Sequence, residues 1–83
     1  MAYNIQILES AIKDLSKIDK KQAGRILLAI TEKLSKRPAD YEFLKGEFKV
    51  FRKFRIGDYR IFFKIIKSDV IVYKIRHRRD VYE

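Results

Sequence analysis

The chain has 83 residues, which is one domain near the lower end of what a single hydrophobic core stabilises. Its 47% hydrophobic and 37% charged content is that of a globular protein, with a formal net charge of +9. The absence of cysteine excludes disulfides, thiolate metal sites and cysteine nucleophiles. No apolar run approaches the roughly 18 residues of a membrane span, and no secretory h-region opens the chain. The expected site of action is the cytoplasm, with no membrane partner.

Tyr3, Ile5 and Ile7 alternate with Asn4 and Gln6, a period-two pattern that predicts a short strand. Ser10 is expected as the N-cap of a short helix in which Ala11, Ile12, Leu15 and Ile18 recur at helical spacing. Asp19 then caps a second helix with the apolar stripe Ala23, Ile26, Leu27, Ile30 and Leu34. Arg37-Pro38 ends it, because the residue before proline is pushed out of the helical region. So short a link predicts an antiparallel helix pair covering one face of a sheet. Residues 39–46 read as a loop whose Tyr41, Phe43 and Leu44 tuck back against the core.

From Phe48 to Lys64 the chain alternates aromatic or aliphatic residues with cations on either side of Gly57-Asp58. That pattern predicts a tight hairpin with two unlike faces. Lys53 and Arg55 share a face of its first strand. Arg60, Phe62 and Lys64 share a face of the second, with Tyr59, Ile61, Phe63 and Ile65 opposite and assigned to the core. Lys67-Ser68-Asp69 is a second turn, Val70 to Arg76 a further strand, and His77 to Glu83 a tail. With no repeat or linker, residues 1–83 form a single α+β domain of order β-α-α-β-β-β. An antiparallel sheet of about four strands is expected, with both helices on one face and the other face partly open.

Charge follows this division. Residues 1–46 carry nine Lys/Arg against six Asp/Glu; residues 47–83 carry eleven against five. Net charges of +3 and +6 concentrate the excess on the shorter, strand-rich part, which points to a polyanionic partner. The basic set to contact it is Lys49, Arg52, Arg55, Lys64, Arg76 and His77.

One histidine cannot supply a paired-imidazole ribonuclease site, and the three glycines form no phosphate-binding loop. Nothing in the spacing of Asp58, Asp69 and Asp80 points to a two-metal cluster. An enzyme built on this chain works with cations, tyrosine and at most one histidine, a set that suits RNA, in which a 2′-OH can attack the adjacent phosphorus. That reaction needs a base, a cation for the developing charge and an acid for the leaving 5′-oxygen. An arginine fits the charge-stabilising role, and Lys53 beside Arg55 and Arg60 is a candidate base. The alternative is that these are ordinary solvated strand residues. His77 is an acid/base candidate or a packing histidine, and Tyr82 stacks on a base or clasps the fold. Phe62 is a stacking platform or a core residue; spacing does not rank Arg78 against Arg79.

Three motifs in series then resemble the RelE family of toxins. They are Leu44-Lys45-Gly46, the run from Lys53 to Arg60, and the run from His77 to Tyr82. The resemblance covers nearly the whole chain. It implies a toxin of a type II toxin–antitoxin pair that enters the ribosomal A site, cleaves mRNA without metal or other cofactor, and so inhibits translation. It implies Lys53 as base, Arg60 as phosphate clamp, Arg78 or Arg79 as phosphate contact or proton donor, and Tyr82 as the residue that orients mRNA. Some members carry a further lysine where this chain has Phe51, which leaves His77 or Arg52 to share the base's work. A cognate RelB-like antitoxin, acidic and bound in a hetero-oligomer, is implied as partner. The readings left open are a ParE-like inhibitor of DNA gyrase, a non-catalytic nucleic-acid-binding module, and a degenerate toxin that retains only antitoxin binding.

Overall fold

The computed structural model describes residues 2–44 and 50–80. β1 (Asn4–Ile7) leads into α1 (Glu9–Ser16) and α2 (Lys20–Ala29), which continues as a π-helical turn over Ile30–Leu34. A 3₁₀ turn at Pro38–Asp40 is followed by β2 (Arg52–Ile56), β3 (Tyr59–Ile66), β4 (Asp69–His77) and a last 3₁₀ turn at Arg78–Asp80. The four strands form one sheet in the order β1-β4-β3-β2. None of the described helices is long and apolar enough to cross a membrane.

β2, β3 and β4 are an antiparallel meander, closed first by Gly57 at φ +55° and then by Lys67 at φ +56°. Glycine bears the left-handed conformation without steric penalty at the first of these turns. β1, however, pairs parallel to β4, from Asn4 opposite Asp69 to Ile7 opposite Val72, so the sheet is mixed where a wholly antiparallel one was expected. Alternation encodes which residues face inward, not which way a neighbouring strand runs. The helices between β1 and the meander provide the long crossover that parallel neighbours require.

The core lies between the helices and one sheet face. Ala11 of α1, Ile26 of α2 and Ile30 and Leu34 of the π-helical turn are fully buried against Phe54, Ile61, Phe63, Val70, Val72 and Ile75. Tyr59 and Ile65 pack at its margin, as their place opposite the cations predicts. Tyr41 also packs inward, edge-on to Phe54 and Phe63. Phe43 does not, and is 52% exposed beneath the Arg52 guanidinium. Its backbone bridges to Arg52 at the edge of β2, an antiparallel contact that holds the residue away from the core.

β1 is too short to cover β4, and α1 completes the edge. The Leu8 N–H donates to the Val72 carbonyl at 3.0 Å and the Ser10 hydroxyl to the Tyr73 carbonyl at 2.6 Å. The Asp14 carboxylate accepts from the Ile75 N–H and from Arg76, each at 3.0 Å. Ser10 is therefore not the N-cap; Leu8 holds that position without a side-chain bond, and the hydroxyl serves the strand instead. Asp19 does cap α2, accepting from the Gln22 N–H at 3.3 Å.

Asp14→Ala leaves a strand N–H and a half-buried guanidinium without their acceptor. Urea denaturation should show a loss of about 1–3 kcal/mol. Asp14→Asn, which keeps an oxygen for Ile75, should lose less than Asp14→Ala.

Candidate nucleic-acid interface

The sheet face turned away from the helices carries cations in register. Arg55 of β2 stands opposite Arg60 of β3, which stands opposite Arg76 of β4. In the neighbouring row Lys53 faces Phe62, and Phe62 faces Lys74. Like charges directly opposite on adjacent strands repel, so the arrangement stabilises nothing by itself. It concentrates positive potential at a fixed spacing on a rigid support.

Carboxylates at the margins claim the outer members of the group. Arg76 bends to the strand edge and pairs with Asp14, its side chain 32% exposed. Arg78 lies 3.9 Å from the Asp58 carboxylate, and its N–H donates to the Asp58 carbonyl at 2.6 Å. Among the described residues, Lys53, Arg55 and Arg60 have no carboxylate within ion-pair distance. These three line a cleft of about 430 Å³ together with Asp40, Tyr41 and Glu42. A smaller hollow of about 150 Å³, between Arg55, Gly57, Asp58, Arg60 and Arg78, adjoins it at the hairpin turn. Arg55 and Arg60 line both, which makes them the centre of the basic surface.

The other candidates separate from this centre. Arg52 alternates with Lys53 and lies on the side of Phe54. There it donates to the Tyr41 carbonyl at 2.7 Å and the Ala39 carbonyl at 3.3 Å, with its guanidinium 4.0 Å from the Phe43 ring centroid. It fastens residues 39–43 to β2. His77 packs edge-on to Tyr59 at 5.2 Å, and its Nδ1 accepts from the Arg79 N–H at 3.2 Å. With Tyr59, Ile75 and Arg76 it lines a separate hollow of about 460 Å³ beside Asp14, Lys17 and Ile18 of the first helical segment. Arg79 is exposed beyond the end of β4. Lys49 and Tyr82 lie outside the described residues.

Lys64 shares the outer face with Arg60 and Phe62, but its ammonium sits over two rings, 5.0 Å from the centroid of Phe51 and 5.1 Å from that of Tyr73. The two rings meet edge-on at 5.0 Å. Phe51, where some toxins of the resembled family have lysine, thus belongs to an aromatic group bordering the cations. Tyr73 is not among the candidate residues, although alternation from the buried Val70 and Val72 turns it outward. Asp40 and Glu42 are not among them either, and their place in the cleft depends on how the loop is fastened.

Removing a charge from the opposed arginines should relieve repulsion. Arg60→Gln is expected to leave urea stability unchanged or raise it by up to about 1 kcal/mol, with the difference shrinking as salt is added. A clear loss of stability would show that Arg60 supports the fold.

The family model described as the ParE toxin of type II toxin–antitoxin system, parDE, matches residues 5–82. Comparison with curated sequences finds no match. Among solved structures the chain is similar to the RelBE2 toxin–antitoxin complex of Mycobacterium tuberculosis, with a TM-score of 0.88 and 22% identity over 94% of this chain and 93% of the other. It is similar to the intact RelBE complex of E. coli at a TM-score of 0.73 and 20% identity, covering 92% and 96%. The archaeal RelE–RelB complex of Pyrococcus horikoshii gives 0.68 and 22%, covering 94% and 97%. These likenesses show the fold.

Proposed function

The chain belongs to the ParE toxin family of type II toxin–antitoxin systems, and we propose that this toxin acts in the cytoplasm as a ribosome-dependent mRNA endoribonuclease. The observation that carries the reading is the meeting of Lys53, Arg55 and Arg60 in one cleft on the open sheet face, with no carboxylate pairing them among the described residues.

In the proposed reaction the 2′-oxygen attacks the adjacent phosphorus and Lys53 takes its proton. The bond to the 5′-oxygen breaks, and a proton from the C-terminal segment neutralises the leaving group. One strand ends in a 2′,3′-cyclic phosphate and the other in a 5′-hydroxyl. Arg60 contacts the phosphate oxygens where charge grows during attack, the position in which a fixed guanidinium contributes most. Arg55 holds a neighbouring phosphate. Arg78 is the better placed of the terminal arginines, since it lines the hollow that Arg55 and Arg60 also line. Tyr82 orients the message. Arg52 and Arg76 act at one remove, the first by fixing a wall of the cleft and the second by fixing α1 to β4.

The similar RelE toxins were solved with RelB antitoxins, and we extend that pairing to this chain. At a net charge of +9 it suits an acidic antitoxin, because opposite net charge speeds encounter. A second reading, inhibition of DNA gyrase, is favoured by the family model itself, which is that of ParE toxins.

A translation extract separates the two. Wild-type toxin should cut mRNA only when ribosomes are present, leaving 5′-hydroxyl ends that accept label from a polynucleotide kinase. Arg60→Ala should lower the rate by at least about 100-fold, on the scale of losing one charge-stabilising donor. Tyr82→Ala should lower it less. Intact mRNA with arrested supercoiling would replace this reading by the gyrase one.

A further inference from the structure

The bulge in β4 has a consequence for what the open face can bind. Phe62 pairs with Lys74 and Phe63 with Val72, so Tyr73 has no partner on β3. Without that extra residue, strict alternation from Val70 and Val72 would send the residue after Lys74 outward; with it, Ile75 returns to the core. Tyr73 is turned onto the outer face, where its ring meets Phe51 at 5.0 Å. Phe62 lies on the same face, in the row of Lys53 and Lys74. All three rings are half-buried, each with part of its surface open. Phe51 and Tyr73, with Lys64 over both, therefore border the row of Lys53, Phe62 and Lys74.

We infer that Phe51 and Tyr73 form a stacking platform in which one ring gives its face to a nucleobase of single-stranded RNA and the other buttresses it edge-on, with the phosphates along Lys53, Arg55 and Arg60. The inference rests on the RNA reading of that face and assigns it a second subsite. Base–aromatic stacking needs an open ring face next to a positively charged track, and open four-stranded sheets with exposed rings are one way proteins provide both. Lys64 fits the same arrangement. Its ammonium lies at nearly equal distance from both ring centroids, on a flexible stem that can swing to a phosphate when a base takes its place. The net charge of +9 and the adjacent cations, without a carboxylate partner among the described residues, favour a polyanion over an apolar protein surface as the occupant.

The test compares a fluorescent single-stranded RNA hexamer with an abasic hexamer of the same length, by anisotropy at several salt concentrations. Wild type should prefer the hexamer that carries bases. Phe51→Ala and Tyr73→Ala should each weaken its binding by roughly 5- to 100-fold, the range of one stack, and narrow the preference. Their salt dependence should match that of wild type, whereas Lys64→Gln should flatten the log–log slope by about 0.7. Phe51→Trp and Tyr73→Phe should restore binding. In unmutated protein, the ring protons of Phe51 and Tyr73 should shift upfield when the hexamer is added, which needs no variant to fold. Persistence of the full base preference in both alanine variants, or unmoved ring signals during binding, would overturn the platform alone. Failure of wild type to bind either hexamer would overturn the RNA reading with it. A dimer of the free protein that Phe51→Ala dissolves would assign the rings to a protein interface and overturn the platform too.

Discussion

Phe54, Ile61 and Ile75 stand side by side on three adjacent strands and are buried together. Their chain neighbours Arg55, Arg60 and Arg76 must then stand side by side on the opposite face, because successive residues of a strand alternate. The apolar row is thus what aligns the cations. Burial of each such side chain stabilises by about 1.5–3 kcal/mol, which outweighs the few tenths to about 1 kcal/mol that an opposed pair of like charges costs. The hydrophobic face holds the charges in a geometry they would not adopt alone, and the basic surface inherits the core's rigidity.

Two kinds of arginine follow from this placement. Those at the margin of the group meet carboxylates or carbonyls and become part of the fold: Arg76 with Asp14, Arg52 with the carbonyls of Ala39 and Tyr41. Those at the centre, Arg55 and Arg60, have no carboxylate within ion-pair distance among the described residues and keep their donors for a ligand. Composition cannot separate the two classes, since all carry the same charge. Position relative to the strand edges does.

The sequence was most legible where one rule acts alone. Alternation from Phe48 to Lys64 located two strands, their buried face and their cations, and Gly57 marked the turn between them, although the first strand begins at Arg52. Helical spacing located Ile26, Ile30 and Leu34 in the core, and Asp19 at the cap. Legibility ended where two rules compete. Ser10 has the chemistry of a cap but finds a strand carbonyl nearby. Tyr73 occupies an inserted position that breaks the count of two. Phe43 is apolar enough for the core, yet its backbone is claimed by the edge of β2. The direction of β1 has no signature within β1 at all. For the candidate site, the alternation placed Lys53, Arg55 and Arg60 on one face, but the partners that withdraw Arg52 and Arg76 come from distant segments.

The side-chain latch along β4 also bears on solubility. A strand that ends its pairing partway leaves a row of free N–H and carbonyl groups, a template on which other chains can polymerise. Here β1 stops opposite Val72, and beyond it the Tyr73 carbonyl and the Ile75 N–H are served by Ser10 and Asp14 rather than by another strand. A helix laid against an edge cannot itself be extended by strand addition. The outer edge of β1, four residues long, is too brief to recruit one strongly. The exposed part of β4 is thereby guarded against pairing with other copies of the chain, and the device that guards it is α1, through Ser10 and Asp14.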